Sequence, residues 1–386
     1  MAADAIRGIH GFQDWIVTQA LPFWGESGFD SQRGAFHERL SFSGQPVDVP
    51  RRAMVQARQV YVFAHAAERN WFPRGAEIAN DALASLVRDY ADQSAGETAF
   101  AFSVDTRGQI VEPARDAYTH AFILLALAWV YRLNGDRMVL RLAAETTAFI
   151  DRALTDPIHG GLFSTSWRTD PAKCQNPVMH LLEAYLFLAE VAPGQGYEER
   201  ATSLVALFER RLFDPVHGVL AETFLEDWSS DGRSRVEPGH LFEWSWLLDW
   251  HGRVTGLPSS QADRLRATAI STGFAPSGLI WDEIDAAGSV LRRTHRLWPH
   301  CEALKSLAIR DEKGEKTGMT LHNICTVLLD RFVGRPFAAG WIDCVDEAGR
   351  PLSGDVPASS LYHLFLAAAE LDRTAAMRRT LDGATA

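Results

Sequence analysis

A short pattern recurs along this chain at intervals of about 60 residues, and it restricts the possible folds more than any other sequence feature. The pattern is a glycine, two or three apolar or aromatic residues, and then an acidic or hydroxyl residue. It occurs as GAFHERL from Gly34, GGLFSTS from Gly160, GVLAETF from Gly218, GLIWDEID from Gly278 and AGWIDCVDEAG from Ala339, with a weaker copy, AFSVDTRG, from Ala101. The 386 residues are therefore predicted to form about six similar units instead of two or three unrelated domains.

The segments between these copies have the patterns of two kinds of helix. Some segments are apolar on nearly every turn, which predicts helices that are buried on most sides. These are Ala117–Leu133, Met179–Val191, Leu241–Trp250 and Leu361–Leu371. Alternating with them are amphipathic segments with charged faces, namely Arg74–Tyr90, Arg137–Leu154 and Tyr197–Leu212. Each unit is thus expected to consist of an outer helix, a short hairpin and an inner helix.

Helix pairs of this kind either stack into an open solenoid or close into a ring with buried inner helices and solvated outer helices. We expect closure, because both ends of the chain keep aromatic, apolar helices and show no polar cap. The expected fold is an all-α (α/α)6 barrel. No linker rich in Pro, Gly or Ser is visible, which predicts a single domain over residues 1–386.

The charge and the apolar segments argue against several kinds of partner. The formal net charge is −11, whereas binding of nucleic-acid phosphates requires clustered Lys and Arg. The longest apolar stretch, Ala121–Val130, is far shorter than the roughly 20 residues that span a bilayer, so no membrane partner is expected. The N-terminal segment lacks the apolar core of a signal peptide. The four cysteines form no C-x-x-C pair. These features predict a cytoplasmic protein.

A set of polar residues keeps step with the repeat, and each member falls at or near the start of an expected inner helix. Equivalent positions of a closed ring converge on its axis at one end, and buried polar groups are costly unless they are paired or line a wet cavity. Separate burial of single histidines gives no reason for a common period, whereas a shared site does. The residues expected to form this site are Arg58, Tyr118, His180, His240, His300 and His363.

Two of these histidines have a glutamate three residues later, as His180-x-x-Glu183 and His240-x-x-Glu243. Residues at this spacing share a helix face, so the carboxylate can orient the imidazole and raise its basicity. The alternative is a metal site, because di-metal sites in helical bundles use Glu-x-x-His. The order is reversed here and no further in-phase carboxylates complete a ligand set, so we expect no metal.

Histidines titrate near neutral pH, so a pair on opposite sides of a substrate can remove a proton and return it. A suitable proton lies on carbon α to a carbonyl group, and its removal creates an enediolate that needs a cation beside its oxygens. Arg58 is permanently charged and planar, and Trp298 offers a surface that can stack on a sugar. This combination predicts sugar isomerisation or epimerisation without a metal or organic cofactor.

Seven stretches spread over nearly the whole chain carry a family resemblance. They are FWGESGFDSQRGAFHERL, RRAMVQARQVYVFAHA, DAYTHAFILLALA, NPVMHLLEAYL, GHLFEWSWLL, RLWPHCEALKS and SSLYHLFLA. Together they resemble the N-acylglucosamine 2-epimerase superfamily, and their overall pattern looks closest to its bacterial D-mannose isomerases. The resemblance implies an (α/α)6 barrel, in agreement with the repeat.

The resemblance also implies roles for the matching residues. His240 and His363 match the acid/base pair that moves a proton through a cis-enediol. His180 matches a third essential histidine, and Arg58 matches the arginine beside the reacting oxygens. The residues expected to bind substrate or support the histidines are Tyr118, Glu243, Trp298, Glu183 and His300.

Protonation of the enediol at C1 gives a ketose, and protonation on the opposite face of C2 gives the 2-epimer. The leading hypothesis is an isomerase that interconverts D-mannose and D-fructose, with mannose-6-phosphate isomerase and N-acylglucosamine or aldose 2-epimerase as alternatives.

Arg51 and Arg52 are candidate phosphate ligands, although an Arg pair before a helix is more often solvated. A glycoside hydrolase using Glu243 and Glu302 leaves the histidines unexplained. A sugar-binding module without catalysis is a further alternative. The expected partner is a small-molecule sugar, and the expected state is a monomer or a homodimer.

Overall fold

The computed structural model describes residues 2–94, 96–315 and 317–384. Within these residues the chain forms thirteen α-helices: α1 Ala2–Trp15, α2 Leu21–Glu26, α3 Ala53–Glu68, α4 Gly75–Tyr90, α5 Ala117–Asn134, α6 Arg137–Phe149, α7 Gln175–Val191, α8 Tyr197–Leu207, α9 Pro238–Thr255, α10 Ser260–Thr272, α11 Trp298–Glu312, α12 Gly318–Val327 and α13 Leu361–Ala384. No helix in this part of the chain is both long enough and apolar enough to cross a membrane.

The inner helices α3, α5, α7, α9, α11 and α13 form a closed ring. Each packs against the next one along the chain, and α13 packs back against α3. The outer helices α4, α6, α8 and α10 each cover the inner helix that precedes them, while α1 packs against α12. The fold is therefore an (α/α)6 barrel, which confirms the architecture predicted from the repeat.

Local signals fix the ends of the inner helix α5. The Asp116 carboxylate accepts a hydrogen bond of 2.8 Å from the backbone N–H of Thr119 and caps the helix start. The helix ends at Gly135, whose φ of 67° is left-handed and suits a residue without Cβ. Between these ends α5 is almost entirely buried, as its continuous apolar sequence predicts.

Several outer helical segments change pitch before they end. The five-residue segments Ile16–Ala20, Ile150–Leu154, Phe208–Leu212 and Leu328–Phe332 are π-helical turns that extend α1, α6, α8 and α12. The helices predicted to end at Leu154 and Leu212 therefore have the expected ends, but their last turn is wider. In the turn after α8, Phe208 and Leu212 are both buried, so the wider turn keeps the apolar side chains on the core side.

Short strands connect the helices. They are β1 Phe29–Asp30, β2 Ala35–Phe36, β3 Arg39–Ser41, β4 Arg51–Arg52, β5 Ala91–Ser94, β6 Glu97–Phe100, β7 Ser103–Val104, β8 Ile110–Glu112, β9 Lys173–Cys174, β10 Phe213–Asp214, β11 Val219–Leu220, β12 Thr223–Phe224, β13 Glu283–Ile284, β14 Val290–Arg292, β15 Thr294–Arg296, β16 Cys344–Asp346 and β17 Asp355–Pro357. The antiparallel pairs within units are β1–β2, β5–β6, β7–β8, β10–β11 and β13–β14.

Other antiparallel pairs join neighbouring units into a belt around one end of the barrel. The strand pairs are β4–β7, β9–β12, β15–β16 and β3–β17, and single bridges join Asp116 to Thr165 and Val236 to Ile284. The pair β3–β17 places Leu40 opposite Val356 and so links the first unit to the last. Strands β4, β9, β15 and β17 directly precede inner helices or the turn that leads into one. The belt therefore surrounds the end at which the inner helices begin.

Candidate active site

A cavity of about 580 Å³ opens at the end of the barrel where the inner helices begin. It is larger than a groove of about 440 Å³ beside α8 and a cavity of about 220 Å³ at the opposite end of the barrel. Its walls come from the first turns of inner helices and from the belt of strands. A large cavity in which a few polar side chains from several inner helices converge is the preferred location for a functional site.

The structure brings most of the in-phase polar residues to this cavity. Its lining residues include Arg58 from α3, Tyr118 from α5, His180 from α7, His240 from α9 and His363 from α13. Arg58 and the three histidines are almost fully buried. Closure of the ring therefore places side chains from five helices around one volume.

His300 is not among the residues that line the cavity. Its Nε2 accepts a hydrogen bond of 3.0 Å from the backbone N–H of Ile280, and its Nδ1 lies 3.0 Å from the backbone oxygen of Arg296. Trp298, two residues earlier, occupies the cavity-facing position of α11. Residues two apart lie on nearly opposite sides of a helix, so His300 points away from the cavity. The expected substrate-binding role of His300 has no support in this geometry.

The position of His300 has equivalents in other units. In the second unit, His120 accepts a hydrogen bond of 3.1 Å from the backbone N–H of Phe100. In the first unit, Gln56 accepts one of 2.8 Å from the backbone N–H of Phe36. In all three units the donor precedes the acceptor by twenty residues. These side chains tie a hairpin to an inner helix by satisfying a buried N–H group.

His240 is held by two carboxylates at the start of α9. Its Nδ1 lies 2.8 Å from Oε2 of Glu222 and 3.7 Å from Oε2 of Glu237. Burial opposes protonation of the ring, but Glu222 and then Glu237 outweigh it and raise the pKa of His240 to about 9. Gln175 donates a further hydrogen bond of 2.9 Å to Glu222. His240 is therefore an imidazolium at neutral pH.

His363 has the opposite protonation state although it has a similar partner. Its Nδ1 lies 2.7 Å from Oε1 of Glu302, and Oε2 of that carboxylate lies 2.5 Å from Nζ of Lys305. Burial, followed by the positive charges of Arg58 and Lys305, holds the pKa of His363 well below its usual range. His363 is therefore neutral at neutral pH, and Nε2 is the ring nitrogen left for a ligand.

The indole ring of Trp298 lies beside both of these histidines. Its centroid is 4.8 Å from the ring of His240 and 5.6 Å from the ring of His363. Helix α9 permits this approach at Gly239, where an added Cβ atom would lie only 2.5 Å from the indole. The residue before His240 therefore has to be glycine for Trp298 to pack in this position.

His180 and its partners form the third histidine group. Its Nδ1 lies 3.2 Å from Oε2 of Glu183, so the pair predicted from the His-x-x-Glu spacing is present. Glu183 also accepts a hydrogen bond of 2.6 Å from the hydroxyl of Tyr362, and it lies behind His180 instead of lining the cavity. Burial lowers the pKa of His180, although Glu243 and Glu183 oppose the shift. The His180 ring also makes an edge contact with Tyr118 at 5.1 Å.

Arg58 is a buried cation in the lining of the cavity. It donates hydrogen bonds of 2.6 Å to the hydroxyl of Tyr118 and 3.2 Å to the backbone oxygen of Ser359. Its guanidinium carbon lies 4.2 Å from the centroid of the Phe122 ring and 4.9 Å from that of Tyr362. These aromatic contacts fix the orientation of the guanidinium plane. No carboxylate among the described residues forms an ion pair with Arg58.

Glu243 does not pair with His240 as the spacing predicts. It lies 3.9 Å from Nδ1 of His180 and 3.9 Å from Nζ of Lys305. Neither of its carboxylate oxygens has a hydrogen-bond partner among the described residues, although both are buried. Because Glu243 lines the cavity, these oxygens are available to accept hydrogen bonds from ligand hydroxyls.

Some side chains of the site are also close enough together to hold a cation. Ligand atoms lie within 4.8 Å of one another in the groups His180–Glu183–Glu243, Glu222–Glu237–His240 and Glu243–Glu302–His363. In each group a hydrogen bond between an imidazole nitrogen and a carboxylate accounts for the closeness. In the third group the ammonium of Lys305 already supplies a positive charge beside Glu302. We assign none of these groups to a metal.

Sequence reasoning missed the carboxylates that hold His240 and His363. Glu222 is the acidic residue of the repeated pattern in GVLAETF, equivalent to Glu38 and Asp282. Glu38 and Asp282 each accept a hydrogen bond from the backbone N–H of an arginine close before an inner helix. Comparison of these copies could therefore have placed Glu222 beside the start of α9. Glu302 was considered only as a hydrolase carboxylate, and Lys305 carried no sequence signal.

The cavity and its histidines agree with the comparison with known families. The model of the family described as N-acylglucosamine 2-epimerase (GlcNAc 2-epimerase) matches residues 34–367. The chain belongs to this family. Such membership supports a sugar isomerase or epimerase with a small-molecule sugar as its substrate.

Individual relatives of this epimerase-family chain have different activities. It is 32% identical over 384 residues to a mannose-6-phosphate isomerase from Rhizobium meliloti, which covers 93% of this chain and 95% of the relative. It is 27% identical over 241 residues to a D-mannose isomerase from Thermobifida fusca, covering 56% of this chain and 58% of the relative. A solved structure of cellobiose 2-epimerase from Bacillus thermoamylovorans superimposes with a TM-score of 0.86 at 20% identity, covering 95% and 99% of the two chains. That likeness shows the shared fold.

The hydrogen bonds of His300 predict a purely structural role. His300→Ala leaves the N–H of Ile280 unpaired and should lower the free energy of unfolding by about 1–3 kcal/mol. His300→Gln should cost less, because Gln56 makes the equivalent bond in the first unit. Urea unfolding of both variants measures the difference, and equal losses would contradict the assignment.

The same variants test a pH effect. Burial lowers the pKa of His300 from 6.5 to about 4, so the unfolded chain binds this proton more readily. The stability contributed by neutral His300 is present above pH 6.5 and is lost progressively as the pH falls toward 4. His300→Gln should lack this component of the acid dependence.

Proposed function

We propose that this protein is an aldose–ketose isomerase that interconverts D-mannose and D-fructose through a cis-enediol. The observation that carries the proposal is that two histidines beside one indole have differently charged surroundings, two carboxylates at His240 and a carboxylate paired with a lysine at His363. Neutral His363 is suited to accept a proton, and the imidazolium of His240 is suited to donate one. Environments that push two pKa values apart in this way distinguish a base from an acid.

Each step of the proposed reaction balances. Nε2 of His363 takes the proton from C2 of the open-chain aldose, the C–H electrons form the C1–C2 double bond, and His240 protonates the carbonyl oxygen at C1. His240, now neutral, then takes the proton from the C2 hydroxyl. The C2 carbonyl then forms, and the electrons of the C1–C2 double bond form a new C1–H bond with the proton that His363 had taken. Both histidines return to their initial states.

The other residues of the cavity have supporting roles in this scheme. Arg58 is placed to stabilise negative charge on the C1 and C2 oxygens, because its guanidinium is fixed in plane and lacks an ion-pair partner among the described residues. His180 and Glu243, which both line the cavity, would bind hydroxyl groups and assist ring opening in this scheme. Trp298 provides an aromatic wall against which the sugar can pack.

A 2-epimerase is the principal alternative. The same enediol gives the epimer when the acid protonates C2 on the face opposite the base. The relatives named as isomerases, including one that aligns over nearly the whole chain, favour the isomerase. Since the solved cellobiose 2-epimerase shares the fold, the reaction products have to decide between these outcomes.

Incubation with D-mannose in heavy water tests the function. We expect D-fructose with deuterium at C1, because a proton held by His363 exchanges with solvent before it reaches C1. NMR of the products measures both the sugar formed and the labelled carbon. Glucose labelled at C2 would instead indicate a 2-epimerase, and mannose without label would contradict both activities.

The pH dependence of kcat should follow the two histidines. The reaction needs neutral His363 and protonated His240, so kcat should remain near its maximum at neutral pH and fall above about pH 9. His240→Gln and His363→Gln should each lower kcat by roughly 10²–10⁴-fold. The matched control His300→Gln should keep the wild-type profile, since His300 lies outside the cavity lining. Wild-type kcat in either cavity variant would contradict the proposed roles.

The charges around the cavity favour an unphosphorylated sugar. Carboxyl groups outnumber arginines among its lining residues. Arg296 is paired with Glu237 at 2.7 Å and Arg235 lies 3.6 Å from Glu283, which leaves Arg58 for the reacting oxygens. The candidate phosphate ligands Arg51 and Arg52 are paired with Asp30 and Glu38, and the cavity lining includes neither arginine.

A comparison of substrates tests this preference. We expect kcat/KM for D-mannose to exceed that for mannose 6-phosphate by about tenfold or more. A phosphate dianion would face Glu243, whose oxygens have no described hydrogen-bond partner, while Arg296 and Arg235 are already paired with carboxylates. The similarity to a mannose-6-phosphate isomerase favours the opposite preference and makes the phosphosugar the second candidate. In that case Arg235→Gln should raise KM for the phosphosugar far more than KM for mannose.

A further inference from the structure

Lys305 is a fully buried lysine one turn after Glu302 on α11. Its ammonium lies 2.5 Å from Oε2 of Glu302, 3.9 Å from Oε1 of Glu243 and 4.1 Å from the centre of the Trp246 ring. Burial opposes its charge, but Glu302 and Glu243 outweigh burial and raise the pKa of Lys305. A permanent positive charge therefore lies directly behind the histidine cluster.

Groups from all the neighbouring inner helices face this ion pair. Those that carry or exchange charge include Tyr61 on α3, Glu183 on α7, Glu243 on α9, and Tyr362 and His363 on α13. Arg58 on α3 and His180 on α7 act on His363 beside the pair. Removing ions from water costs several kcal/mol per ion, and packed apolar residues often replace buried ion pairs without loss of stability. Stability alone therefore gives little reason for a lysine at this position.

The two oxygens of Glu302 have different partners. Oε1 lies 2.7 Å from Nδ1 of His363, and Oε2 lies beside the Lys305 ammonium. Burial and then the charge of Glu243 raise the pKa of Glu302 well above its usual range, and the Lys305 ammonium, 2.5 Å from Oε2, is the nearest group that opposes this shift. A carboxylate at Oε1 accepts the Nδ1–H of His363, whereas a protonated carboxyl group can donate there and transfer the ring proton to Nε2.

We propose that Lys305 is a positioning residue that keeps Glu302 a carboxylate and thereby keeps the lone pair of His363 Nε2 directed at the sugar. The proposal rests on the proposed function, in which His363 removes the C2 proton. Lys305 acts through Glu302 and His363 and does not line the cavity. A lysine with only a packing role would affect stability without affecting the tautomer of His363.

The substitution Lys305→Met removes the charge and keeps most of the side-chain volume. Glu302 should then be protonated at neutral pH, and His363 should carry its proton on Nε2. We expect kcat at neutral pH to fall by about tenfold or more, with a much smaller change in KM. Because loss of Lys305 removes the charge that opposes protonation of Glu302, the acid limb of kcat should move to higher pH by about one unit or more.

Two further variants keep the test decisive if Lys305→Met is poorly folded. Lys305→Arg retains the charge and should keep the acid limb near its wild-type position. The double variant Glu302→Gln with Lys305→Met leaves no unpaired buried charge. Its amide oxygen can still accept the Nδ1–H of His363, so kcat should exceed that of Lys305→Met and the acid limb should return toward lower pH.

Lys173→Met is the matched control. Lys173 is also fully buried and lies 2.7 Å from the carboxylate of Asp156, outside the histidine cluster. Its replacement should lower the melting temperature but leave the acid limb of kcat unchanged. An equal displacement of the limb in both lysine variants would attribute the effect to general loss of stability and would overturn the proposal.

The tautomer of His363 can be measured without turnover. ¹⁵N NMR of histidine-labelled protein, with His363→Gln for assignment, should show the Nδ1–H form in the wild type and the Nε2–H form in Lys305→Met. An unchanged tautomer and an unchanged acid limb would overturn the positioning role. A changed tautomer in a protein that does not isomerise any sugar would overturn the proposed function and leave the positioning role intact.

Discussion

Closure of the helix ring is the constraint on which the rest of the structure depends. The β3–β17 pair and the packing of α13 on α3 bring the first and last units together. In an open stack, residues repeated every 60 positions or so would form a row along the surface. In the closed ring the same residues surround one cavity, so the repeat period in the sequence determines which side chains line the site.

The site obtains two protonation states from one structural arrangement. His240 and His363 each direct Nδ1 at a buried carboxylate, and both are almost fully buried. The pKa values differ because the surrounding charges differ. Two carboxylates act on His240. At His363, Lys305 offsets the partner carboxylate of Glu302, and Arg58 adds a second positive charge. The neighbours of each ring, and not the histidines themselves, therefore set the different pKa values of His240 and His363.

The sequence was sufficient to predict the barrel, because helix periodicity and turn residues are local signals that recur in each unit. It was also sufficient to predict that Arg58, Tyr118, His180, His240 and His363 share a cavity, since their phase is set by the repeat. For α11 the period alone was too coarse. A shift of two residues reverses the direction of a side chain, and Trp298 takes the position that the period gives to His300.

The position of Trp298 has a consequence for how such a site can change. One indole lies against both histidines, and Gly239 lets it approach the helix that carries His240. A lateral movement of this ring alters the space beside His240 and the space beside His363 at the same time. Substitutions along this wall would therefore change the thickness of ligand that fits between the two histidines.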